Sequence, residues 1–348
     1  GMSRRRTLVV VGNGMVGHKL IEMVIDRGPT HDWDIVVFGE ESRVAYDRVG
    51  LTSFFAGTTA DELSLVKPGG YDGIELHLGD PITAINRDAA TVTSASGAVV
   101  SYDALVLATG SYPFVPPVAG HDLGGCFVYR TLDDLELIRE YAASRRVGAV
   151  VGGGLLGLEA ANALRSLGLE THVVEFAPRL MPVQVDDGGS AALRSRIEDL
   201  GVIVHTGMQT SELVAGTDGN IAAMRFANGD DLMVELLVFS AGIRPRDELA
   251  RAWGLEVGER GGIVVDEACR TSDPRIFAIG ECALAANRVW GLVAPGYEMA
   301  RVVADRLVGG DASFTGADLS TKLKLMGVDV ASFGDCFATT AGALAITY

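Results

Sequence analysis

A chain of 348 residues with 48% hydrophobic residues has enough apolar side chain for two or three domains with sizeable cores, which excludes a disordered protein. Its formal charge of -16 at pH 7 argues against nucleic acid and anionic membranes as partners, since both are polyanions that select basic surfaces. No apolar run approaches the roughly eighteen residues of a membrane span, so no membrane segment is expected and the expected location is cytoplasmic. Cys126, Cys269, Cys282 and Cys336 form no CxxC spacing and the six histidines no HExxH pattern, so no metal site is expected.

Residues 7–17, TLVVVGNGMVG, read as a buried parallel strand turning directly into a helix. Gly12 suits the tight turn, Gly14 lets the backbone at Asn13 and Met15 approach a pyrophosphate, and Gly17 packs helix on strand. The helix N-terminus then faces the anion. A helix over 19–25 and an apolar strand over 34–38 follow. Glu40 comes within the roughly twenty residues at which a carboxylate meets a ribose.

Residues 75–100 alternate short strands with turns, including a Ser96-Gly97 hairpin signal, and read as a β-rich insert. A buried strand over 102–110 ends in Ala108-Thr109-Gly110, and the proline-rich 111–117 is the candidate crossover between domains. Residues 131–143 have helical spacing, with Asp133 and Asp134 in the first turn. RVGAVVGGGLLG at 146–157 then repeats the opening device, its glycine pattern falling on Gly152, Gly153, Gly154, Leu155, Leu156 and Gly157. The strand over 172–174 ends in Glu175, again about twenty residues on. A carboxylate there bonds the ribose hydroxyls of NAD and repels the extra phosphate of NADP, so NADH is favoured over NADPH. Arg179 is the side chain that could turn toward such a phosphate. A helix over 190–200, a strand over 202–204, a β-meander over 210–239 and a helix over 298–307 complete the reading, with Pro245 marking the passage back.

Several of these segments carry a family resemblance. AYDRVGL, which contains Arg48, resembles the YDRPxLS segment of pyridine nucleotide-dependent flavoprotein reductases, and AGIRP at 241–245 and TSDPRIFAIGE at 271–281 resemble two further motifs of those enzymes. The combination GNGMVGH, RVAYDRVGL, GGGLLGLE, EFAPRLMP, GIRPRDEL and TKLKLMGVDV is most similar to the N-terminal flavin module of the large subunit of NAD(P)H-dependent assimilatory nitrite reductase. The resemblance implies an α/β protein with two Rossmann-like dinucleotide-binding domains, of the glutathione and ferredoxin reductase type. Its FAD-binding domain would comprise 2–115 and 246–310, and its NAD(P)H-binding domain 116–245. Residues 311–348 would be the truncated start of a C-terminal interface region, with a short strand pair at 320–330.

By the same resemblance FAD and NADH are the cofactors. Arg48 would hold the flavin pyrophosphate, Ile82 touch the adenine, and Ala108, Thr109 and Gly110 make a second flavin contact. Gly280 and Glu281 would meet the ribityl chain, with Glu281 replacing the usual aspartate. Gly242 and Glu159 would lie on the nicotinamide side, and residues 290–296, starting at Trp290, would line the flavin ring. Ser53 stands where ferredoxin and rubredoxin reductases have a lysine, and Ala56-Gly57 where NADH peroxidases and some NADH oxidases have a redox cysteine before a glycine. There is no CxxxxC dithiol, which argues against a thiol relay. The expected chemistry is hydride transfer from NADH to FAD without a protein acid or base. Electrons would then leave to downstream iron-sulfur and sirohaem domains or to a redox protein. A ferredoxin- or rubredoxin-type reductase, an NADH oxidase and a non-catalytic FAD- and NADH-binding redox sensor stay open, as does a homodimer.

Overall fold

The computed structural model describes residues 5–27, 32–48, 59–181, 187–291 and 293–317. Its leading apolar run forms β1 (Arg6–Val11), turns into α1 (Met15–Ile25) and returns as β2 (Trp33–Phe38). Leu8, Val9 and Val10 are fully buried, because a parallel strand covered on both faces has no solvent side to mark with polar residues. β3 (Glu75–His77) joins the outer side of β2, and β4 (Ile82–Asn86), β5 (Thr91–Ser94) and β6 (Val99–Ser101) form an antiparallel meander. β7 (Ala104–Leu107) returns beside β1. The chain leaves this unit through β8 (Ser111–Pro113).

The second unit runs through β9 (Cys126–Val128), α2 (Leu132–Ala142), β10 (Val147–Val151), α3 (Leu155–Ser166), β11 (Glu170–Val174), α4 (Asp187–Asp199) and β12 (Ile203–His205). A second meander, β13 (Thr210–Ala215), β14 (Ile221–Phe226) and β15 (Asp231–Met233), precedes β16 (Leu236–Phe239). β17 (Ile243–Pro245) pairs antiparallel with β8, so the outward and return passages between the units form one ribbon. Back in the first unit come α5 (Glu248–Ala252), β18 (Ile263–Val264), β19 (Ile276–Ala278), β20 (Ala283–Ala285), β21 (Arg288–Val289) and α6 (Val293–Leu307).

Two five-stranded sheets result, β19-β7-β1-β2-β3 and β12-β11-β10-β16-β9, parallel throughout. The repeat read in the sequence is a repeat of architecture: β1-α1-β2 and β10-α3-β11 are equivalent, with Val11 beside Phe38 and Val151 beside Val174 at the strand ends. Ligands of such sheets bind beyond the carboxyl ends of the strands, which is where both glycine turns lie. α6 packs on α1, and the Trp33 indole donates to the Leu307 carbonyl at 3.0 Å to fasten its end.

Two segments differ from the expectation. Only 82–101 of the β-rich insert is a meander, because β3 extends the parallel sheet instead. Likewise β16 leaves the 210–239 meander for the centre of the second sheet, between β10 and β9. Its four residues LLVF are all buried, the mark of a strand covered on both faces rather than an alternating one. The expected strand pair at 320–330 lies outside the described residues, as do Ser53, Ala56, Gly57 and Cys336.

Candidate functional site

The first glycine turn is built by contacts that exclude side chains. Gly12 has φ +114°, a conformation that L side chains rarely adopt, and a Cβ there would fall on the Ala108 carbonyl oxygen. A Cβ on Gly17 would fall on the Gly12 carbonyl, which shows how closely α1 lies on the turn. Gly14 caps α1 at φ -84°, and a Cβ there would meet no atom of the described residues within 4 Å. The second turn repeats this arrangement. Gly152 has φ +120° with the Ser240 carbonyl where a Cβ would go, Gly157 abuts Gly152, and a Cβ on Gly154 would meet none of the described residues within 4 Å.

Both helices start without a side-chain cap from the described residues and without an acid in the first turn. By contrast, Thr131 and Asp134 close the start of α2 as a capping box. The chain therefore satisfies one helix start with its own oxygens and leaves two with open backbone donors, a ready seat for phosphate.

A cleft of about 750 Å³ opens at the first turn and reaches α3 of the second unit. Arg48 lines it, with Nη2 2.6 Å from Glu41 and Nη1 donating to the Arg130 carbonyl at 3.1 Å. Across the cleft, Glu281 accepts from the Ser111 hydroxyl and from Arg130 at 3.2 Å. Burial pulls the Arg130 guanidinium down from its ordinary value, against the opposing pull of Glu281. Glu40 pairs with Arg246, whose guanidinium lies 4.3 Å over the Tyr112 ring. From α3 come Leu156 and Glu159. Glu159 is 5% exposed and its Oε1 has no hydrogen-bond partner among the described residues. Burial, and then the charge of Asp47, push its carboxyl up to about 8.

Residues 6–303 match the family model of the pyridine nucleotide-disulphide oxidoreductases. The chain belongs to that family. It is 59% identical over 337 residues to the nitrite reductase [NAD(P)H] large subunit of Klebsiella oxytoca, covering 96% of this chain and 35% of that protein. It is 53% identical over 349 residues to the nitrite reductase (NADH) large subunit of Escherichia coli (strain K12), covering 100% of this chain and 41% of that protein. The chain thus spans well under half the length of these relatives. Among solved structures it resembles the reductase of a covalent putidaredoxin reductase-putidaredoxin complex, with a TM-score of 0.81 and 31% identity over 88% of this chain and 76% of that one.

In this member of the oxidoreductase family the cleft gathers most of the residues singled out in the sequence: Gly12, Asn13, Gly14, Met15, Gly17, Glu40, Arg48, Ile82, Ala108, Thr109, Gly110, Gly280, Glu281, Leu156 and Glu159 all line it. Gly152, Gly153, Gly154, Leu155, Gly157, Glu175 and Gly242 do not. Glu175 instead folds over the second turn, accepting from the Gly153 N–H at 3.0 Å and the Ala177 N–H at 2.8 Å. Arg179 is 2.6 Å from Asp187.

One expectation is corrected. Trp290 does not line the cleft; it is buried, donates to the Ala285 carbonyl at 3.0 Å and packs edge-on against Phe314, leaving Gly291 and Val293 at the wall. Arg130 and Arg246 were missed: Arg130 belongs to no motif, Arg246 lies inside GIRPRDEL without a role being read for it, and each gains its place by pairing across more than a hundred residues of chain. Among the described residues no group of three or more His, Cys, Asp or Glu could hold a metal, and no helix is long and apolar enough to cross a membrane.

Proposed function

We propose that this chain is the NADH-oxidising flavin module of an assimilatory nitrite reductase, taking hydride from NADH into FAD and passing electrons to iron-sulfur and sirohaem centres or to a redox protein. The carrying observation is the shared cleft: one cavity is walled by the first glycine turn and by Leu156 and Glu159 of the helix that begins at the second. A ligand on one turn and a ligand on the other can therefore meet. The names of the relatives at 59% and 53% identity support nitrite reduction as the purpose of the whole protein.

FAD fits the first unit, 2–115 with 246–310. Gly14 leaves room for a pyrophosphate, the open donors of α1 face it, and Arg48 adds a permanent positive charge able to make paired bonds to its oxygens. All of these residues line the cleft, and in this reading Glu40, which pairs with Arg246, would meet the ribose, Ile82 the adenine, Ala108 to Gly110 would allow close approach, and Gly280 and Glu281 would meet the ribityl chain. Bound there, FAD supplies an acceptor for two electrons that can be handed on singly. NADH fits the second unit, 116–245, at Gly152 to Gly157, with Gly242 and Glu159 on the nicotinamide side.

The protein's own work in this scheme is binding, alignment and exclusion of water. No thiol relay is supported among the described residues. Burial pushes the Cys126 and Cys269 thiols up to about 12 and raises Cys282 as well, so none is a thiolate at neutral pH. Electrons would then leave directly from the flavin.

The test is steady-state reduction of ferricyanide by FAD-loaded protein with NADH or NADPH, in the natural sequence and in Glu175→Ala. NADH should be preferred, and the variant should lose about tenfold or more of that preference, since the carboxylate beside the Gly153 N–H is removed. An unchanged preference would contradict the role of Glu175. No activity with either nucleotide would contradict the module.

A further inference from the structure

The side chain of Asn13, between the two glycines of the first turn, is already engaged within the protein. Its Oδ1 accepts from the Ala45 N–H at 2.9 Å, which forces its Nδ2 to be the donor toward the Tyr71 hydroxyl, 2.8 Å away. Tyr71 OH lies 2.8 Å from Nδ1 of His18, a buried residue of α1, and the two rings are 5.6 Å apart. On its other side His18 turns Nε2 to Glu22 at 3.6 Å. The direction of the chain is thus set at both ends. Glu22 favours the proton on Nε2, Nδ1 becomes an acceptor, and Tyr71 accepts from Asn13 while donating to His18.

We propose that Asn13, Tyr71 and His18 form a positioning relay that holds the first glycine turn and the Arg48 segment in their nucleotide-binding shape, and that it works only while His18 is neutral. This rests on the reading of the first turn as the FAD site. Ala45 opens the short segment that ends at Arg48, so the Asn13 amide ties the glycine turn to the phosphate-binding arginine. A protonated His18 presents donors on both nitrogens. Tyr71 would then face two donors, from Asn13 and His18, and its own proton would lose its acceptor.

The surroundings favour the neutral form. Burial is the largest influence on His18 and pushes its pKa below 6.5, with Lys19 acting the same way and Glu22 opposing. Lys19 is itself 3.1 Å from Glu22 and sits over the Tyr297 ring of α6. From the segment before β3, Lys67 acts on Glu22, and Tyr71 is pushed up to about 12, chiefly by burial, so it keeps its proton. At neutral pH each donor is therefore in place. As pH falls through the His18 value the relay is lost.

The test is equilibrium binding of FAD to flavin-free protein, read by quenching of flavin fluorescence across pH 5–8, for the natural sequence, Tyr71→Phe and His18→Gln. The natural protein should bind FAD with constant affinity at pH 7–8 and progressively more weakly as pH falls through the His18 value, which burial sets below that of a free imidazole. Tyr71→Phe should bind about tenfold more weakly at pH 8 and show a flattened profile. His18→Gln, which offers an acceptor that does not titrate, should keep the affinity at pH 8 within about threefold and lose the acid limb. A Tyr71→Phe protein with the natural affinity and profile would overturn the proposal, as would an acid limb that persists in His18→Gln. Should Tyr71→Phe not fold, His18→Gln decides alone. Absence of FAD binding by the natural protein at every pH would instead remove the FAD reading itself.

Discussion

Gly12→Ala is expected to abolish FAD retention, lowering affinity by at least about a hundredfold, and to destabilise the first unit. Two costs act together. At φ +114° a side chain is strained by about 1–3 kcal/mol, and the added Cβ would overlap the Ala108 carbonyl, which is backbone and cannot swing aside. Ala108 follows β7, the neighbour of β1 in the sheet, so relief requires β1 and β7 to part. Gly14→Ala separates the two effects. Its φ of -84° suits alanine and its Cβ would meet none of the described residues within 4 Å, so thermal stability should be unchanged while FAD affinity drops. Thermal unfolding alongside flavin content checks both variants; a Gly12→Ala protein that folds normally and retains FAD would contradict the turn geometry.

Glu159 should govern how NADH use depends on pH. Buried in the cleft wall with one oxygen unpartnered among the described residues, its carboxyl keeps its proton up to about pH 8 and can act as a hydrogen-bond donor that an ionised carboxylate cannot. Its raised pKa means that the protonated form prevails at neutral pH and is lost as pH rises through about 8. KM for NADH should therefore be flat at neutral pH and climb above about pH 8, by up to roughly tenfold per unit. Glu159→Gln, neutral at every pH and still a donor, should remove that rise. Glu159→Ala should raise KM about tenfold at neutral pH and leave it flat as pH rises, since it removes the donor outright. Steady-state kinetics from pH 6 to 9.5 decide it: a rise that survives in Glu159→Gln would assign the titration elsewhere.

The parts of this site that were legible in the sequence are those written locally. A strand covered on both faces shows as an unbroken apolar run, and a turn that tolerates no Cβ shows as glycine, so both β-turn-α units and both acids stood out from spacing alone. Glu281 and Arg48 came from resemblance, and the structure brings both to the cleft. What stayed hidden is pairing between distant segments. Glu40 meets Arg246 and Glu281 meets Arg130 through folding that no local pattern records. Tyr71 has no motif of its own, yet it reaches both Asn13 and His18. Short strands hid for a related reason: three residues at β3 or four at β16 do not reveal which sheet they will join. Trp290 was expected at the cleft as the first residue of a stretch, 290–296, read from the family resemblance; its indole N–H bonds the Ala285 carbonyl and its ring is buried, while Gly291 and Val293 of the same stretch reach the wall.

The central claim is tested most directly by anaerobic titration of the FAD-loaded chain with NADH and, separately, NADPH, followed by return to air or addition of a one-electron acceptor. The account predicts that NADH bleaches the visible flavin band at far lower concentration than NADPH, that colour returns slowly in air, and that it returns rapidly with the acceptor. A flavin band untouched by NADH would contradict hydride transfer in this cleft, and rapid recovery in air would make the chain an oxidase rather than an electron-input module.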